Sequence, residues 1–85
     1  MSKIENDVKA YVASYSHLAI GLIQDGHVLA KPPLNLDDTA LAFLAGSLRS
    51  YVRHYKPSAT VLASEVRKKG LTVKLLIDLI TNKLN

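Results

Sequence analysis

The 85-residue sequence contains no cysteine and no tryptophan. The absence of cysteine excludes disulfide bonds, thiolate nucleophiles and cysteine-ligated zinc sites, and it fits a protein that works in a reducing compartment. Only three histidines are present, His17, His27 and His54. They are not spaced at i and i+4 with one another or with carboxylates, as two metal ligands on one helix would be. We therefore expect no metal site.

Long apolar runs are also missing. No stretch approaches the roughly 20 apolar residues that a membrane-spanning helix needs. The N-terminal residues lack the apolar core of a signal peptide. We expect a cytoplasmic protein that has no membrane partner.

The sequence lacks the common catalytic and nucleotide-binding motifs, including the G-x-S-x-G elbow, the phosphate loop and the dinucleotide fingerprint. The adjacent carboxylates Asp37 and Asp38 are the only pair that resembles an acid and base. They stand where a helix is predicted to begin, and negative charge there is stabilised by the helix dipole. We expect no enzymatic activity, no catalytic residues and no cofactor.

The charge that is present is unevenly distributed. The net charge is +4, but residues 1–38 carry three lysines and five acidic residues, whereas residues 39–85 carry eight basic and two acidic residues. This asymmetry indicates an acidic partner, either nucleic acid or an acidic protein surface. Contacts between the two halves, or a solvated face that aids solubility, would also explain it.

The most apolar segment is Leu71–Leu84, and the rest of the chain must supply its cover. Its apolar residues span an arc of roughly 200°, whereas the stripe of a one-sided surface helix spans about 100°. One thin bundle would leave part of this surface uncovered, so we expect the chain to self-associate through this helix. The residues expected to form the contact are Leu75, Ile77, Leu79 and Leu84.

The first helix is predicted over residues 3–24, where apolar residues recur at alternating spacings of 4 and 3. Ser2 and Glu5 form a capping box at its start. Gly26, in the left-handed conformation, would end it. The Asp-Gly pair that includes Gly26 is also a β-hairpin turn signal, so a hairpin over residues 18–31 is the alternative.

The second helix is predicted over residues 36–56, with Asn35 as its N-cap and Pro57 as its stop. A short connection implies that it runs antiparallel to the first helix. Positions whose numbers sum to about 61 would then face each other.

This register places Tyr11 near Tyr51 and sets the ring of Tyr15 against Gly46, which has no side chain. Tyr51 and Tyr55 point to the side of the helix that carries its leucines. We expect both of these tyrosines to lie in the core.

A shorter third helix is predicted over residues 58–69, with Ser58 as its N-cap and Gly70 after its end. The fourth helix is predicted over residues 73–84, with Thr72 as its N-cap. The predicted fold is therefore all-α. The whole chain would form a single domain, a small four-helix bundle of two long antiparallel helices followed by two shorter ones.

Basic residues form a stripe on the second helix, within about 60° of one another when plotted as a helical wheel. Further basic residues flank the third and fourth helices. The residues expected to face an acidic partner or phosphate groups are Arg49, Arg53, Lys56, Arg67, Lys68 and Lys74.

The leading functional hypothesis is a non-catalytic protein-interaction or regulatory module that self-associates and binds an acidic partner. The alternative is a small, dimeric nucleic-acid-binding regulator, because the third helix, the turn at Gly70 and the fourth helix have the lengths of a helix-turn-helix. The residues that would face the major groove include Lys74 and Asp78 but no Arg, Asn or Gln, which makes a weak base-reading set.

Overall fold

The computed structural model describes residues 3–85, which form four α-helices and one turn of 3-10 helix. The α-helices are α1 (Lys3–Ser16), α2 (Asp38–Tyr55), α3 (Ala63–Val66) and α4 (Val73–Leu84), and the 3-10 helix is Ile20–Leu22. The predicted all-α class and the small-bundle architecture are confirmed. Within residues 3–85, no helix is both long and apolar enough to cross a membrane.

Helices α1 and α2 are antiparallel, as predicted. The Lys3 Nζ atom lies 2.7 Å from the Tyr55 hydroxyl, and the Tyr15 hydroxyl lies 2.6 Å from the Ser47 Oγ atom at the other end of the pair. Tyr11 and Tyr51 meet edge to face with ring centroids 5.9 Å apart. The predicted register, with facing positions that sum to about 61, therefore holds along the whole contact.

Helix α4 completes the bundle beside α1 and α2. Its C-terminal end lies near the C-terminal end of α2, because the Lys56 Nζ atom donates a hydrogen bond to the Asn85 carbonyl at 2.8 Å. The core contains no buried polar or charged residue among those described. Its largest fully buried side chains are Leu29, Leu44, Leu48, Leu76, Ile80, Val8, Val12, Val52, Val61, Val66 and Val73.

The first helix ends at Ser16, so its predicted extension to residue 24 is wrong. His17 adopts a left-handed conformation with φ of 59°, and the Leu18 amide donates to the Ala13 carbonyl at 3.2 Å. This i to i−5 bond is the Schellman closure of a helix. Gly26, the predicted left-handed residue, has no positive φ. The predicted capping box at the start of α1 depends on Ser2, which lies outside the described residues.

The hairpin alternative for residues 18–31 is also wrong. This segment is an irregular connection that pairs with the turn between α3 and α4 through one isolated antiparallel bridge, Val28 with Thr72. The Leu29 amide donates to the Leu71 carbonyl at 3.0 Å. Apolar side chains of the connection cover one end of the bundle core. The buried members are Ile23, Leu29, Leu34 and Leu36.

Helix α2 begins at Asp38 instead of residue 36. The Asp37 side chain accepts a hydrogen bond from the Ala40 amide at 2.8 Å, so Asp37 is the N-cap. Asn35, the predicted N-cap, has a left-handed φ of 51° and lies three residues before the first residue of the helix. The helix ends at Tyr55, two residues before Pro57, in agreement with the predicted stop.

The predicted third helix over residues 58–69 is reduced to the single turn of α3, and Ser58 does not cap it. The distance that the chain must cover between the end of α2 and α3 explains the difference. Arg53 contacts the Ala59 carbonyl, whereas Arg67 contacts the Asp38 carbonyl fifteen residues earlier in α2, about 22 Å away along the helix axis. The nine residues from Ala59 to Arg67 would cover only about 12 Å as a helix. An extended stretch before α3 supplies the missing length.

Val61 is buried within that extended stretch, whereas its neighbour Leu62 is exposed. The alternation of side chains along an extended chain accounts for this difference. The fourth helix is confirmed at its predicted bounds. Thr72 caps it, since its hydroxyl accepts a hydrogen bond from the Leu75 amide at 3.2 Å.

The predicted packing of Tyr15 against Gly46 is wrong in detail. A Cβ atom placed on Gly46 would meet no atom within 4 Å. The Tyr15 hydroxyl instead contacts the carbonyl of Phe43 and the side chain of Ser47, which lie on either side of Gly46 in the sequence. The space over Gly46 is therefore open.

Candidate partner-binding cleft

The six basic residues predicted to face a partner do not form one surface. Arg53 lies beside Ala59 near the C-terminal end of α2, and Arg67 lies beside Asp38 at its N-terminal end, with about 22 Å of helix between the two ends. Lys74 forms an ion pair with Asp78, with the Nζ and Oδ2 atoms 3.6 Å apart. The residues therefore separate into a stripe on α2, a group near the turn between α3 and α4, and one paired lysine.

The stripe on α2 consists of Arg49, Arg53 and Lys56, which are all exposed. Two of its members are tied to backbone carbonyls. The Arg53 Nε atom donates to Ala59 at 3.1 Å, and the Lys56 Nζ atom donates to Asn85 at 2.8 Å. The stripe lies on a convex helix face, where exposed charges are strongly screened by solvent.

The second group lines a concave site, which we call the basic cleft. Arg67 and Lys68 are joined there by Lys31 and Lys69, two residues that the sequence analysis did not select. The cleft has a volume of about 240 Å³. Its remaining lining residues are Val28, Leu29, Ala30, Asp38, Leu41, Val66, Gly70 and Leu71.

The walls of the basic cleft come from three separate parts of the chain. The Leu29 amide bonded to the Leu71 carbonyl holds the wall that carries Lys31 against the α3–α4 turn. Gly70 allows that turn through a left-handed φ of 77°. The Arg67 Nη2 atom donates to the Asp38 carbonyl at 3.2 Å, which fixes one of the five guanidinium N–H donors and orients the group at the start of α2.

The basic residues of the cleft are exposed and form no ion pair within residues 3–85, which they share with the α2 stripe but not with most of the other lysines. Within residues 3–85, four lysines outside the cleft form ion pairs with carboxylates at 3.0 to 3.6 Å. In the same part of the chain, no ion pair is formed by Lys31, Arg67, Lys68 or Lys69. The cleft thus presents four positive side chains against the single carboxylate of Asp38, above a floor of buried leucines and valine.

A second concavity, which we call the α4 groove, lies on the other side of the α3–α4 turn. It has a volume of about 320 Å³ and is lined by Glu65, Lys68, Leu71, Leu75, Asp78, Leu79 and Asn82. Of the residues predicted to mediate self-association, only Leu75 is exposed, at 51%. Ile77, Leu79 and Leu84 are partly buried and pack against the protein's own core. Leu84, for example, lies beside Ile4 of α1 and Tyr51 of α2, so the bundle covers more of α4 than its apolar arc predicted.

A polar cluster between α1 and α2 was missed by the sequence analysis. The Asp7 carboxylate accepts hydrogen bonds from the Tyr51 hydroxyl at 2.7 Å and from the Lys3 ammonium at 3.1 Å. The Tyr51 hydrogen bond, followed by that of Lys3, lowers the pKa of Asp7, while burial and then Asp7 raise the pKa of Tyr51. The same lysine bonds to Tyr55, and this raises the pKa of Lys3. The i, i+4 spacing of Lys3 and Asp7 was the available signal.

This cluster also corrects the placement of the tyrosines. Tyr51 is half-buried against the core, as expected, but Tyr55 is exposed and stacks edge to face on Tyr51 with ring centroids 5.3 Å apart. The Asp7 carboxylate and the hydroxyl groups of Tyr51 and Tyr55 all form hydrogen bonds within the cluster. We therefore interpret the cluster as a clamp that joins α1 to α2. No group of three or more metal-ligating side chains occurs within residues 3–85.

The helix-turn-helix hypothesis requires a full first helix, but α3 has only four residues. Comparison of the chain with protein-family models, curated proteins and solved structures gave no match.

Proposed function

We propose that this protein is a non-catalytic interaction module that binds an acidic segment of a partner protein in the basic cleft. The observation that carries the proposal is the set of four basic side chains that surround an apolar floor and form no ion pair with a carboxylate of the described chain. The absence of cysteine suits the reducing environment of the cytoplasm, where we place this activity.

The shape and chemistry of the cleft favour a protein segment over nucleic acid. A concave site of about 240 Å³ with a leucine floor accommodates side chains, whereas duplex phosphates lie on a convex cylinder. The Asp38 carboxylate in the cleft can accept a hydrogen bond from a peptide amide, a donor that a phosphate backbone lacks.

The proposal can be tested by fluorescence anisotropy with a labelled peptide rich in glutamate, compared with the same peptide carrying glutamine. Hydrogen bonds to charged groups contribute about 1.5–3 kcal/mol each when they are well formed. We therefore expect Arg67→Gln to weaken binding of the acidic peptide by roughly tenfold or more. The glutamine peptide should bind much more weakly to the unmodified protein.

A matched pair of double variants separates the basic cleft from general electrostatic attraction. Arg67→Gln with Lys68→Gln and Arg49→Gln with Arg53→Gln remove the same charge from different surfaces. The first pair should abolish most binding, and the second should change it by less than about threefold, the effect of a screened surface charge. Equal losses in both pairs would show that net charge, and not the cleft, determines affinity.

Self-association through α4 is a second candidate, and the exposure of Leu75 is the observation that favours it. The contact would have to be built around this one side chain, since Ile77, Leu79 and Leu84 already pack on the core. Stable interfaces bury about 1,200–2,000 Å² in total. Light scattering over a range of protein concentrations tests this candidate, with a concentration-dependent mass that Leu75→Ser abolishes as the supporting result.

A further inference from the structure

The basic cleft and the α4 groove meet at the turn between α3 and α4. Lys68 and Leu71 line both concavities. A ligand that fills the cleft therefore has one end beside the α4 groove.

The two concavities differ in chemistry. The basic cleft has four positive side chains and one carboxylate. The α4 groove has an apolar strip of Leu71, Leu75 and Leu79, and its polar lining consists of Glu65, Lys68, Asp78 and Asn82. Glu65 and Asp78 are paired with lysines outside the groove. Beyond Lys68 the lining therefore offers no positive charge to a continuing acidic run, whereas its leucines offer apolar contact. Apolar side chains fit the exposed face of Leu75.

From this juxtaposition, we infer that the partner segment has two parts: acidic residues that occupy the basic cleft and, directly adjoining them, apolar residues that occupy the α4 groove. The inference rests on the proposed function and specifies its ligand. Leu75 and Leu79 are four residues apart on α4, which is about 6 Å along the helix axis. An apolar part of about two extended residues covers this distance, and Leu71 extends the strip just before α4 begins.

The test uses short labelled peptides and the full-length protein. One peptide carries a glutamate run followed by a neutral polar run, and a second carries the same glutamate run followed by leucines. A third peptide reverses the order of glutamates and leucines, because the structure does not fix the direction of the segment. The acidic–leucine peptide, in one of its two orders, should bind about tenfold or more tightly than the acidic–polar peptide, since burial of apolar side chains adds to the affinity.

Two leucine variants show which surface provides the additional affinity for the acidic–leucine peptide. Leu75→Ser should reduce the affinity for the acidic–leucine peptide to that for the acidic–polar peptide, without changing the latter. Leu22→Ser is the matched control, because Leu22 is similarly exposed but lines neither concavity. It should leave both affinities unchanged. Circular dichroism melting of each variant shows that the fold is retained.

The outcomes distinguish this inference from the proposed function. Equal binding of the acidic–leucine and acidic–polar peptides would overturn the two-part ligand and leave the basic cleft as a site for acidic segments. Failure of every acidic peptide would overturn both proposals. A doubled protein mass at the titration concentration that Leu75→Ser returns to the monomer value would also overturn the inference, because a second copy of the chain would then occupy the groove.

Discussion

Removal of the Glu65 carboxylate should destabilise the fold more than removal of any exposed carboxylate nearby. Glu65 uses both of its oxygens. Its Oε1 atom accepts a hydrogen bond from the Leu62 amide at 2.9 Å, which closes the first turn of α3, and its Oε2 atom lies 3.0 Å from the Lys83 ammonium on α4. The glutamate therefore fixes the short helix α3 to α4 and forms one wall of the α4 groove.

The expected magnitude follows from these two contacts. An amide hydrogen bond to a charged group contributes about 1.5–3 kcal/mol, and the low end applies here because the side chain is partly exposed. The ion pair adds about 0.5 kcal/mol for the same reason. We expect Glu65→Ala to lower the free energy of unfolding by about 2 kcal/mol, which corresponds to a decrease in Tm of about 10 °C for a domain of this size.

Thermal and urea unfolding, followed by circular dichroism, measure this change. Asp78→Ala is the matched control, because Asp78 lies on the same groove but makes only an exposed i, i+4 pair with Lys74. It should change the free energy of unfolding by less than about 0.5 kcal/mol. If Glu65→Ala were as mild as the control, the single-turn α3 would not depend on this carboxylate and the reasoning would be refuted.

The pH dependence provides an independent check of the same contacts. The Leu62 amide first, and the Lys83 ammonium second, hold the pKa of Glu65 below its ordinary value. A lowered folded-state pKa contributes stability that is fully present above the unfolded value of about 4.3 and is lost as the pH falls through the folded pKa. The stability difference between the unmodified protein and Glu65→Gln should thus be largest near neutral pH and shrink below about pH 4.

Three further predictions concern other parts of the molecule. Gly46→Ala should raise the free energy of unfolding by about 0.5–1 kcal/mol, because the position is helical and open; a decrease would show hidden packing there. Gly70→Ala should lower the free energy of unfolding by about 1 kcal/mol, because alanine is strained at the left-handed φ of this position. An unchanged melting temperature would contradict this. Duplex DNA should bind no more tightly than about 10⁻⁴–10⁻⁶ M at physiological salt, and submicromolar binding that is lost in Arg49→Ala with Arg53→Ala would favour the nucleic-acid alternative.

The elements that the sequence predicted well are those with long, uninterrupted periodicity. Helix α4 and most of α2 follow directly from apolar residues at helical spacing, and Thr72 and Pro57 mark their ends as expected. The α1–α2 register was also predicted correctly, although the connection is longer than expected and runs from residue 17 to residue 37. Side chains at helical spacing on the facing sides of the two helices, such as Tyr11 and Tyr51, meet in this register. In these segments the local preference and the tertiary packing agree.

The errors arise where tertiary structure determines the local conformation. The residue that ends α1 in the left-handed conformation is His17 and not a glycine. The expected sequence signal for this helix end was therefore missing. The chain between α2 and α4 must cross the length of α2 in few residues, and this span converts most of the predicted third helix into extended chain. Neither constraint is visible in a window of local sequence.

The basic cleft could be predicted only in part. The basic run at residues 67–69 was an available signal, and two of its three members were selected. Lys31 could not be selected, because it reaches the cleft through the hydrogen bond between Leu29 and Leu71, residues that are far apart in the sequence. The exposure of Leu75 was predicted, but the rest of the apolar arc of α4 is covered largely by α1 and α2, and how far these helices reach around α4 is not visible in its own periodicity.

An NMR titration of the ¹⁵N-labelled protein with the glutamate-rich peptide shows residue by residue whether an acidic segment binds in the basic cleft. We predict that the amide shift changes concentrate at Lys31, at residues 67–71 and at the start of α2 near Asp38, and that the glutamine peptide produces none of comparable size. Shift changes that follow Arg49 and Arg53 on the outer face of α2, with the cleft amides unmoved, would contradict the account.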